Sequence, residues 1–117
     1  MARRPSLLDD EEFAAICVRL DAGGSDRDDL RAATKHTLAL LQAKAPGSSV
    51  EVRVPPFAAV QVIAGQRHTR GTPPAVVETD PATWIALARG RLTWADASVR
   101  ASGERSNLSD FLPLTDA

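Results

Sequence analysis

The chain has no tyrosine, two tryptophans and three phenylalanines, so aromatic residues make up 4% of its 117 residues. It has a single cysteine, Cys17, which excludes an intrachain disulfide and fits a reducing compartment. It lacks an excess of charge: the formal net charge of −1 gives no global attraction to nucleic acid or to an anionic membrane. It also lacks any apolar run approaching the roughly 20 residues of a membrane span. Near the N-terminus, Arg3 and Arg4 precede only Leu7 and Leu8 before the acids Asp9 to Glu12, which does not make a signal peptide. These absences lead to the expectation of a soluble cytoplasmic protein that makes no use of nucleic acid.

Catalytic and metal motifs are missing too. No G-x-x-x-x-G-K-[ST] pattern gives a warrant for nucleotide binding. The two histidines, His36 and His68, fall on different elements, without cysteine or acid spacing for zinc. Ser102 and Ser109 lack a base or a nucleophile elbow. Cys17 falls on an apolar helix stripe and reads as a buried structural thiol, and His36 as a partly exposed helix residue. Asp9 to Glu12 read as a solvated helix start. The expectation is therefore a non-enzyme with no catalytic residue, metal or cofactor.

What is present is an ordinary globular composition, 44% apolar and 25% charged. This length is most simply one domain, burying roughly two-thirds of its unfolded surface. Phe13, Ile16, Cys17 and Leu20 lie at i, i+3, i+4 and i+7, one face of a helix with acids in its first turn. Gly23 and Gly24 stop it, leaving residues 1–24 as a helical extension. Ser25, with Asp28 three residues on, starts a second helix. Its inner stripe is Leu30, Thr34, Thr37, Leu38 and Leu41, and it ends at Ala45-Pro46-Gly47.

The period then changes to two. Val50, Val52 and Val54 alternate with Glu51 and Arg53 as a half-buried strand, which Pro55–Pro56 limits to an edge or an early finish. Residues 58–64 read as a second strand and 75–79 as a third, joined by the polar loop 65–74. Asp80 and Pro81 suit the N-cap and first position of a helix over 82–89, with Trp84, Leu87 and Ala88 on one face and Gly90 as its stop. Thr93 and Asp96 cap another short turn. Ser98 to Gly103 reads as a fourth strand with Val99 and Ala101 inward. Ser106 or Asn107 caps a last helix carrying Leu108, Phe111 and Leu112, ended by Pro113. The predicted class is α+β: a mainly antiparallel sheet of four to five strands, covered on one face by helices.

The block TWIALARGRLTWADASVRASGERSNLSDFLPL resembles the C-terminal half of the sterol carrier protein type 2 superfamily. Gly90-Arg91-Leu92 matches the glycine, basic residue and leucine that end one helix of that pattern. Trp94 to Ala97 matches its next short helix, Val99 to Glu104 its strand and Leu108 to Leu114 its terminal helix. The stretch VEVRVPPFAAVQ…RHTRGTPPAVVETDP is similar to a compact bacterial branch of the superfamily. The resemblance covers roughly residues 28 to 115. It implies helices over one sheet face enclosing an apolar tunnel, and binding or carriage of a fatty acyl chain or other lipid without catalysis. Family members have about one more helical turn, about 5 Å of rise, where Trp94 to Ala97 runs directly into Ser98.

On this reading Trp84, Leu87, Leu92, Trp94, Leu108, Phe111 and Leu112 line the ligand cavity. Arg67, His68 and Arg70, beside Gly71, are the candidates for an anion site that would take a phosphate or lipid headgroup. The partner would be a lipid or other apolar small molecule. The alternative is a structural or protein-interaction module, or an accessory domain for an enzyme, that keeps the fold without an open tunnel. The short 94–98 join and the small Ala95 and Ala97 favour that alternative.

Overall fold

The computed structural model describes residues 7–65, 75–103 and 107–117. Helix α1 spans Asp10–Asp21 and is capped by Asp9, whose carboxylate accepts from the Glu12 N–H at 2.8 Å. Phe13, Ile16 and Cys17 are buried as the spacing predicts, while Leu20 is half-buried at the margin. Helix α2 spans Arg27–Lys44. Its cap is Asp26, which accepts from the N–H groups of Asp28 and Asp29, and not Ser25 as the sequence suggests. A carboxylate one residue later serves the orphan amides better than a hydroxyl, because it meets two of them and carries charge opposite to the helix dipole.

Strands β1 (Val50–Val54) and β2 (Ala58–Val62) form a hairpin, followed by β3 (Ala75–Glu78) and β4 (Arg100–Ser102). The order is β2-β1-β3-β4. β1 pairs antiparallel with β2 (Val52 opposite Val60) and parallel with β3 (Val52 opposite Val77), and β3 pairs antiparallel with β4. The sheet is therefore mixed, with a parallel pair at its centre. β2 ends beside the start of β1, and β3 begins at that same end on the other side of β1. Alternation within a strand fixes which face is buried and is silent about neighbour direction. Pro55–Pro56 gives β1 an early finish: β1 is an interior strand whose last paired residue is Val54, opposite Ala58, and the Val54 C=O accepts from the Phe57 N–H at 3.0 Å in the turn that follows.

Helix α3 spans Pro81–Ala88, with Asp80 capping through Thr83 N–H at 2.8 Å and Pro81 in the first turn. Trp84, Ile85, Leu87 and Ala88 are all buried, so α3 is apolar on more than one face. Gly90 takes φ +72°, and a Cβ there would press on the Pro113 ring. The remainder is thin: a 3₁₀ turn at Trp94–Asp96, β4, and a 3₁₀ turn at Ser109–Phe111.

Two sequence expectations change here. The final helix is a single turn, because Pro113 forces Leu112 into extended backbone (φ −108°, ψ 147°). Ala101 faces the helical side opposite Val77 but is exposed, because β4 is an edge strand that the helices do not cover.

Val50, Val52, Val54, Val60, Val62, Ala75 and Val77 form the buried sheet face, against Leu38 and Leu41 of α2, Trp84 and Leu87 of α3 and Leu108. Glu51, Arg53, Gln61, Glu78 and Arg100 occupy the opposite, open face.

Candidate functional site

The structure divides the seven expected cavity residues into two groups. Trp84, Leu87 and Leu108 are fully buried members of the hydrophobic core, and Leu92, Trp94, Phe111 and Leu112 are half-buried and pack against it. The Trp84 indole N–H donates to the Thr37 hydroxyl of α2 at 2.8 Å. That hydroxyl shares its own proton between the carbonyls of Ala33 (2.7 Å) and Thr34 (3.1 Å). A buried indole needs such an acceptor, and Thr37 is locked by its own helix into supplying it.

The half-buried group is positioned by local chemistry. Thr93 accepts from the Asp96 N–H at 3.3 Å and closes the turn carrying Trp94. Asn107 accepts from the Ser109 N–H at 2.8 Å ahead of the turn carrying Phe111. The following segment is tied to the helix ends. The carbonyl of Ala88, in the last turn of α3, accepts from the N–H groups of Leu114 (2.8 Å) and Thr115 (3.2 Å). Lys44 at the end of α2 donates to the Phe111 carbonyl at 3.0 Å.

Sequence reasoning missed one cluster entirely. Arg89 is buried, its guanidinium paired in parallel with both carboxylate oxygens of Asp21 at 3.0 Å, while its Nε donates to the Ala117 main-chain oxygen at 2.7 Å. Arg91 reaches the same carboxylate at 3.5 Å. The fork geometry holds the end of α1, the end of α3 and the C-terminal segment together. No local signal marks this, because the partners lie far apart in sequence.

Burial shifts two titratable groups, Cys17 and His36, from their ordinary values. Burial pushes the Cys17 thiol up, against the pull of Arg89 and Arg91 and with Asp21 adding to the rise. Cys17 is thus a buried, protonated thiol rather than a nucleophile. His36 is buried, not partly exposed as the sequence suggests: its ring lies 4.3 Å from that of Phe13, and its Nδ1 accepts from the Leu8 N–H at 3.0 Å. Helical spacing around α2 did not reveal this, because the covering surface is the chain leading into α1. Burial lowers its pKa, with a smaller opposing effect from Asp10.

The anion candidates Arg67, His68 and Arg70 lie outside the described residues. Among the described residues no group of three or more histidine, cysteine and acidic side chains is placed to hold a metal, and no helix is long and apolar enough to cross a membrane. Hollows of about 240, 310 and 290 Å³ on the open sheet face share Glu78, and none is lined by the seven expected cavity residues.

A one-sided mixed sheet, with its apolar face closed by helices α1 to α3 and by short capped turns, defines an α+β domain of the sterol-carrier type. The model of a family described as bacterial SCP ortholog (SCP, sterol carrier protein) matches residues 26–114, and the chain belongs to that family. The match begins at Asp26, the cap of α2, so α1 lies outside it. A search of curated proteins finds no match to the chain.

Proposed function

We propose that the protein binds or carries an apolar ligand, such as a fatty acyl chain or another lipid, in the cytoplasm and without catalysing a reaction. Residues 1–24 are then a helical extension of a single carrier domain. Family membership supports this reading. The structural observation that carries it is the construction of the layer beyond α3. Leu92, Trp94, Phe111 and Leu112 are held by one-turn segments and extended chain, and stay half-buried against the core. A layer of short pieces has few cooperative contacts, so it opens at low cost. Behind it lies apolar surface that a ligand can cover. At about 25 cal/mol per Å², an acyl chain burying a few hundred Å² gains several kcal/mol before ordering costs, enough for micromolar binding.

A second reading is a protein-interaction module that keeps the fold with a filled interior. The Trp84–Thr37 hydrogen bond favours it, since it holds the largest side chain of the core in place as packing.

Native mass spectrometry of the purified protein, followed by displacement of a fluorescent fatty acid, separates the two. The carrier reading expects co-purified lipid or saturable micromolar binding. Neither being found overturns it and leaves the interaction module.

A further inference from the structure

Helix α1 lies outside the span that matches the family, and side chains make its ties to the rest of the domain. Phe13, Ile16 and Cys17 supply the apolar contact. At the far end Arg19 pairs with both carboxylate oxygens of Asp29 (2.7 and 2.8 Å), and Asp21 takes the fork of Arg89. At the near end the Leu8 N–H donates to His36 Nδ1 on α2, and the Phe13 ring lies against that imidazole. The seat so covered holds two polar side chains, His36 and Arg89, only 5% and 8% exposed. Water reaches both when α1 lifts, which offsets part of the cost of baring the apolar stripe. The Trp84–Thr37 bond and the buried valine face are made without α1, so they keep the rest of the core closed.

We propose that residues 8–21 form an acid-released strap, which undocks as a unit when His36 takes up a proton while the sheet, α2 and α3 stay folded. The neutral ring accepts the Leu8 N–H through Nδ1, and a proton on Nδ1 leaves two N–H groups facing each other. The charged group acting on His36 is Asp10, in the first turn of α1, and its pull on the cation is smaller than the cost of burying that charge. Once the strap is off, water solvates the imidazolium, so the undocked form binds the proton more readily. Undocking therefore rises as pH falls below the ordinary histidine value of 6.5. The strap does not depend on the carrier reading.

Cys17 is the single cysteine of the chain and is buried on the inner stripe of the strap, so its labelling reports undocking. Reaction with methyl methanethiosulfonate is followed by mass spectrometry in wild type, His36→Gln and Asp21→Asn. Dividing each rate by that of the urea-unfolded chain at the same pH removes the pH dependence of the thiol itself. Between about pH 7.5 and about pH 5, protection should fall about tenfold in wild type and stay level in His36→Gln, whose amide takes no proton. Asp21→Asn, loosened at the far end, should label faster throughout and keep the wild-type pH slope. A strap exposes far less surface than global unfolding, so low urea should weaken protection only slightly, well below the slope of unfolding followed by tryptophan fluorescence. A level wild-type profile, the same fall in His36→Gln, an Asp21→Asn rate equal to wild type, or the steep urea slope of global unfolding overturns the proposal.

Discussion

The Trp84 indole nitrogen sits 2.8 Å from the Thr37 hydroxyl, joining α3 to α2 inside the core. Thr37→Val keeps the shape and removes the acceptor, stranding a buried N–H. We expect a loss of about 1–3 kcal/mol in urea unfolding followed by tryptophan fluorescence, with Thr37→Ser losing much less. Equal stability of wild type and Thr37→Val would show that the bond contributes nothing.

Arg89 is the buried partner of its ion pair and Asp21 the more exposed one, with side chains 6% and 46% exposed. The asymmetry sets the expected outcome. Asp21→Asn leaves a buried guanidinium short of its counter-charge, and should lower the melting temperature more than Asp29→Asn at the exposed Arg19 pair. The Arg89 guanidinium holds the Asp21 carboxyl below its ordinary value of 3.8. A depressed carboxylate contributes stability above pH 3.8 that is lost as pH falls through its lower folded value. Asp21→Asn should therefore shrink the acid loss seen below pH 3.8; an identical acid limb in both proteins would refute the coupling.

His36 acts in a separate pH window. Its Nδ1 accepts a hydrogen bond, so the proton of the neutral ring is on Nε2, and protonating Nδ1 breaks the bond to Leu8. Burial lowers the folded pKa below 6.5. The folded state thus resists a proton that the unfolded chain accepts. Stability is full above pH 6.5 and declines as pH falls from there toward the folded value. Asp9, Asp21, Asp29 and Asp80 are also depressed, but they act only below pH 3.8. Melting temperatures between pH 6.5 and about 5 should slope downward in wild type and less so in His36→Gln. Parallel slopes would count against the assignment.

Gly47 has φ +149°, and a Cβ there would overlap the backbone carbonyl of Ile63. The same carbonyl accepts from the Ser49 N–H (3.0 Å) and hydroxyl (2.7 Å), which sets the start of the β1–β2 pairing. Gly47→Ala should destabilise by about 1–3 kcal/mol in chemical unfolding, from backbone strain and lost pairing. Ala43→Gly, on the exposed side of α2, serves as the control and should cost about 1 kcal/mol.

Much of the fold is legible because its signals are local. The stripe Phe13–Ile16–Cys17, the alternation Val50–Val52–Val54 and the Asp80–Pro81 start of α3 each depend on neighbours within a turn or two. The block from Trp84 to Leu114 carries the family resemblance through glycine placement and order. Where the reading failed, a distant part of the chain decided the outcome. His36 is covered by Leu8 and Phe13, and Ala101 is left open because among the described residues no helix covers the β4 edge.

The same division holds for the candidate site. The sequence by itself determined which side chains are apolar, where helices start and stop, and that Trp84 and Trp94 flank the Gly90 break. Periodicity and capping are short-range, so they can be read from the chain alone. Tertiary structure alone decided that Trp84 is sealed against Thr37 while Trp94 stays at the margin, that Arg89 clasps Asp21, and that Thr34 is left without a partner. Those outcomes depend on which surfaces meet and which polar atoms find each other on packing, and helix and strand periods do not encode that.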